Sequence, residues 1–174
     1  MFWRALTLVS AAVAIAALGA VPATAGPKTV GGTFQTLPEG TAMGLEIDGF
    51  ATLTRSGAGT EGKVVVQGLE PATTYAAHLH DAPCSDANPG GAHYKHDPAG
   101  PSMPPNELWL SSTDDPMAGI RANSAGVAHG RGGADWVARP EAQSVVVHFI
   151  PPGGTTAGGP KIACADLTRP GGGN

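Results

Sequence analysis

Apolar residues in this chain come in short runs, and turn-forming residues separate them. The segments Thr29–Leu37, Gly44–Thr54, Lys63–Leu69, Tyr75–His80, Glu107–Leu110, Ala118–Ala122, Gly126–Trp136, Ser144–Ile150 and Lys161–Leu167 are of strand length and are bounded by glycine, proline, asparagine or aspartate. In Tyr75–His80 the period-two pattern assigns faces: Tyr75, Ala77 and Leu79 take one side, and His78 and His80 the other. In Ser144–Ile150, Val145, Val147 and Phe149 oppose Val146, His148 and Ile150. About eight or nine such segments at this spacing predict an all-β barrel or sandwich. Two stretches read as loops: the long, proline- and glycine-rich Asp81–Asn106, and the connector Pro151–Pro160. The tail Arg169–Asn174 reads as frayed.

Composition strengthens the all-β reading. With 26 glycines and 16 prolines among 174 residues, long helix interiors are disfavoured. The N-terminus predicts a compartment. Arg4 precedes an apolar run from Ala5 to Ala20, and Ala23-Thr24-Ala25 supplies small residues for a signal peptidase, so residues 1–25 read as a secretory signal peptide and 26–174 as one mature domain. A membrane anchor is the alternative reading of the run, but its shortness and Pro22 favour removal. The location expected is secreted, periplasmic or cell-envelope, with no membrane attachment after cleavage. The formal charge of −4 argues against a nucleic-acid partner. Oligomeric state is not legible.

In an oxidising compartment the even pair Cys84 and Cys164 reads first as one disulfide; the alternative is that both thiols bind metal. Four of six histidines stand where a metal could use them. His78 and His80, two apart on one strand face, have Cα atoms roughly 6.5–7 Å apart, a gap two imidazoles can close onto one ion. His148 sits in an apolar strand, where an unpartnered imidazole would be costly. His93 and His96 lie in the long loop, and His129 reads as a surface residue.

In order and spacing these pieces resemble the copper/zinc superoxide dismutases of the secreted bacterial type. The segments are Gly68-Leu69 leading to His78-Leu79-His80, then Cys84, Gly91-Ala92-His93-Tyr94, Val145-Val146-Val147-His148, and Gly158-Gly159-Pro160-Lys161-Ile162-Ala163-Cys164. The resemblance implies an eight-stranded Greek-key β-barrel with a long metal-binding loop and a Cys84–Cys164 disulfide. It implies copper held by His78, His80, His93 and His148, with superoxide as substrate. It gives His93 a catalytic part, as the histidine that bridges copper and zinc and leaves copper on reduction, and makes Lys161 the cation that guides the anion.

Three departures qualify what is carried over. Glu107 to Asp115 stand where the family's remaining zinc ligands fall, leaving only His96 and Asp114 or Asp115 to complete a zinc site with His93, which is below the usual four ligands. A copper-only centre is one reading of this. Lys161 replaces an arginine, keeping charge but losing the planar fork. The connector Pro151–Pro160 is short and uncharged, which predicts a site more open to solvent. Beside the enzyme stand two other classes: a non-catalytic copper-binding module of the cell envelope, and a metal-free structural β-domain. A tetragonal copper signal separates the last from the first two.

Overall fold

The computed structural model describes residues 26–156 and 158–168; the expected signal segment, residues 1–25, and the tail, residues 169–174, lie outside them. Eight strands form: β1 Lys28–Thr36, β2 Asp48–Ser56, β3 Gly59–Gln67, β4 Thr74–His80, β5 Ile120–Arg121, β6 Ala128–Ala134, β7 Ser144–Phe149 and β8 Lys161–Asp166. They lie in the order β5-β4-β7-β8-β1-β2-β3-β6, every pairing antiparallel. The sheet nearly closes into a barrel, which leaves few free strand edges.

Closure depends on residues 107–112. Leu79 N donates to Leu108 O (3.2 Å) and Leu110 N to Ala77 O (2.8 Å), so this segment continues β5 along the free edge of β4. On its other side Ser111 and Arg131 of β6 exchange backbone hydrogen bonds of 2.9 Å in both directions. The Ser112 hydroxyl donates to His129 O (2.6 Å) and accepts from Arg121 N (2.9 Å), stitching β5 to β6 where no regular ladder forms. The sequence pattern placed a strand at Glu107–Leu110; the fold makes it half of one interrupted strand, broken where Asp115 caps a short 3-10 turn at Pro116–Ala118. Around the closed circle β4, β5 and β6 are successive neighbours, with β3 beside β6 and β7 beside β4. The β3–β4 and β6–β7 connections therefore leap across strands, the Greek-key arrangement.

Leu53, Val64, Val66, Leu79, Val145, Val147 and Ile162 fill the interior. Fully burying side chains of this size contributes about 1.5–3 kcal/mol each before entropy is counted. β3 shows the plain alternation, with Val64 and Val66 buried and Glu61 and Lys63 turned out into an exposed ion pair. β4 departs from it: every residue from Tyr75 to His80 is buried. Tyr75, Ala77 and Leu79 face the core while His78 and His80 face outward, beneath the long loop. The start of β2 differs from the sequence expectation, at Asp48 instead of Gly44, because Pro38–Ala42 forms a helix, α1, ending in a turn at Gly44 (φ 75°). Five residues are too few for helical periodicity to register.

Candidate metal centre

β4 and β7 build most of the site. Their register sets Ala76, His78 and His80 opposite His148, Val146 and Ser144, so all three strand histidines share one face. His78 Nδ1 lies 3.2 Å from His80 Nε2, which lies 3.2 Å from His148 Nε2. The long loop returns to the same strand: Tyr94 N donates to Leu79 O (2.9 Å) and Asp81 N to Ala92 O (3.0 Å), pairing His93 with His80. The His93 ring comes within 4.0 Å of the His78 ring, centroid to centroid. One nitrogen from each of His78, His80, His93 and His148 falls within 4.8 Å of the other three.

The loop reaches this position because it is tied down along its length. Cys84 and Cys164 form a disulfide to β8, which excludes the reading of both as thiolate metal ligands. Asp166 Oδ1 accepts from Cys84 N (2.8 Å), and Ser144 Oγ donates to Ala82 O (2.8 Å). Gly90 and Gly91 both take left-handed backbone conformations (φ 76° and 68°), and a Cβ there would strike Val146 and Asp81 respectively. The disulfide is compatible with an extracellular, oxidising location.

His78 and His80 are 0% exposed and His148 3%, so little water reaches them. Burial, reinforced by the neighbouring imidazoles, holds the His78 pKa well below its usual value and lowers that of His80 to about 2. For His148 burial again leads, partly opposed by the hydrogen bond to Gly159, and the pKa falls to about 4. All three are thus neutral at neutral pH, the state a metal ligand requires. His78 Nε2 and His80 Nδ1 are buried without hydrogen-bond partners. Four convergent imidazoles, two of them with unsatisfied buried ring nitrogens, fit a transition-metal ion of the kind that takes imidazole ligands.

The same shifts set the acid behaviour of the metal-free protein. Below the ordinary histidine pKa of 6.5 the unfolded chain takes up protons that these buried rings refuse. Stability is therefore complete above 6.5 and is lost progressively as pH falls toward about 4, the folded value for His148. At pH 5 each such ring is expected to cost about 2 kcal/mol. Urea unfolding of metal-free protein at pH 7.5 and pH 5 measures the loss, and an unchanged midpoint would refute it.

Sequence reasoning missed Glu107. It is 3% exposed, and its Oε2 accepts from His93 Nδ1 (3.0 Å) and from Trp109 Nε1 (2.7 Å). A carboxylate in the otherwise apolar run Glu107-Leu108-Trp109-Leu110 was the available signal. His93 Nδ1 is thereby occupied. The other residues named for zinc do not join His93: His96 stacks on Trp136 (centroids 4.8 Å), Asp114 pairs with Arg131 (2.7 Å), and Asp115 caps the 3-10 turn. His129 is exposed on β6, as expected. The short connector does not leave the centre open. Gly159 accepts a hydrogen bond from His148 Nδ1 (3.0 Å), and only His93, with 21% of its side chain accessible, meets solvent appreciably. Lys161, opposite His148 in register, directs its ammonium into the long loop.

No family model matches the sequence, and no curated protein matches it. Among solved structures the chain is similar to a Cu/Zn superoxide dismutase from Brucella abortus, at 21% identity, covering 81% of this chain and 99% of that one, with a TM-score of 0.48.

Proposed function

We propose that the protein is a secreted superoxide dismutase that works at a single copper ion held by His78, His80, His93 and His148. The observation that carries this reading is the convergence of four imidazole nitrogens within 4.8 Å, three of them on rings that burial keeps neutral. Bound there, copper supplies the one-electron couple by which two superoxide anions and two protons become one dioxygen and one hydrogen peroxide.

The chain's own residues orient the ligands. Glu107 holds His93 by Nδ1, leaving Nε2 as its free ring nitrogen, and the Gly159 carbonyl holds His148 by Nδ1 with Nε2 beside His80. Such outer partners fix tautomer and ring direction. With His93 Nδ1 given to Glu107, the arrangement favours copper alone over a copper–zinc pair. Tight burial suits a substrate as small as superoxide, and the Lys161 charge, felt at His80 and His148, favours approach of an anion.

A non-catalytic copper-binding module is the second reading, favoured by the engagement of the Lys161 ammonium with the loop. The mature protein loaded with copper(II) alone should give a tetragonal electron paramagnetic resonance signal and accelerate superoxide decay. A signal without acceleration supports the binding module. Absence of any signal refutes both and leaves a structural domain.

A further inference from the structure

The Lys161 ammonium carries three hydrogens, and three oxygens receive them: Asn88 Oδ1 at 2.8 Å, Pro89 O at 2.8 Å and Gly91 O at 2.6 Å. All three belong to the stretch that immediately precedes His93. The side chain reaches them because β8 carries a bulge. From Ser144↔Asp166 to Val147↔Ala163 the β7–β8 register is regular; it then slips, so that His148 faces Lys161 and Ile162 is the extra residue. Without the slip Lys161 would share the inward face of Ala163 and Ala165, both in the core; with it Ile162 enters the core and Lys161 turns outward to the loop. The four residues from Asn88 to Gly91 are thereby held against β8, two positions ahead of the only metal-facing histidine that no strand carries.

We propose that Lys161 is a positioning residue for His93: by gripping Asn88, Pro89 and Gly91 it fixes the loop that delivers the fourth imidazole, and it does not offer its hydrogens to the substrate anion. This rests on the copper-site reading above. An ammonium suits the task, since its three diverging hydrogens match three separate acceptors, whereas a guanidinium would present a planar fork. The nearby Asp81 and Asp86 carboxylates favour the charged form against the burial that lowers its pKa.

Copper(II) dissociation constants and paramagnetic resonance spectra would be compared for wild type, Lys161→Met, Lys161→Arg and Asn88→Ala, with superoxide decay measured on each. Lys161→Met is expected to weaken copper binding about 10–100-fold, as loss of partners that orient ligands does, and to alter the copper spectrum. Lys161→Arg keeps the charge and should restore binding only in part. Asn88→Ala, which removes one acceptor and leaves the lysine, should move affinity the same way by less, and it decides the matter if Lys161→Met does not fold. If Lys161→Met, or Asn88→Ala in its place, binds copper with wild-type affinity and spectrum while superoxide decay slows, the lysine acts as a distant charge only and the proposal is overturned. Failure of the dismutase reading is distinct: wild type would then leave superoxide decay unchanged, while the affinity comparison retains its meaning.

Discussion

Replacing His148 by alanine is expected to return superoxide decay to its spontaneous rate at equal copper concentration. His148 is the one imidazole that β7 contributes, and its Nε2 stands 3.2 Å from that of His80. Removing it takes away one of the four proposed ligands and leaves a cavity over two rings that already have buried, unpartnered nitrogens. Affinity for copper should fall by more than the roughly 10–100-fold that loss of an outer partner costs. The fold should survive, since β7 keeps Val145 and Val147 in the core. Circular dichroism alongside superoxide decay checks both parts. Undiminished decay in a folded variant would remove His148 from the centre.

The second large effect concerns stability. Cys84 and Cys164 close a loop of sequence separation 80, and in the chain-entropy model opening it costs about 4.5 kcal/mol. For a domain of this size, whose total stability is of order 5–15 kcal/mol, that is a large share. Cys84→Ser paired with Cys164→Ser should therefore lower the denaturation midpoint strongly. The bond also lies beneath the site. Val146, Leu37 and the two sulfurs form one small apolar cluster on the face that carries His148, so the double variant should lose copper more readily as well as unfold more easily. Equilibrium unfolding in urea and copper release to a chelator are the two measurements. A stable, copper-retentive variant would show that the hydrogen bonds at Ala82 and Cys84 suffice to hold the loop.

Much of the centre was legible from period-two patterning alone. His78 and His80 had to share a face, and His148 had to lie on the face opposite Val145 and Val147. What patterning does not encode is pairing between distant segments. Whether β4 lies beside β7 is settled by the whole barrel, and the period-two pattern does not carry it. Glu107 escaped because a single acid in an apolar run carries no period; its meaning comes from His93 and Trp109, which only the folded loop brings to it. The zinc candidates misled for the converse reason. His93 and His96 are close in sequence, but His96 is turned aside by Trp136, a residue 40 positions further on that stacks flat against its ring. The openness expected from a short connector was likewise a judgement of length, and Gly159 shows that a short segment can still lie across the site.

The pairing of β4 with β7 also has a bearing on when the centre comes into being. His80 and His148 are separated by 68 residues, and the cysteine that anchors the loop lies later still, on the last strand. A chain emerging from its N-terminus holds only three of the four clustered imidazoles until β7 brings His148. Assembly of the complete four-imidazole cluster is therefore a late event, and the disulfide that ties down its loop closes only after β8 has been made.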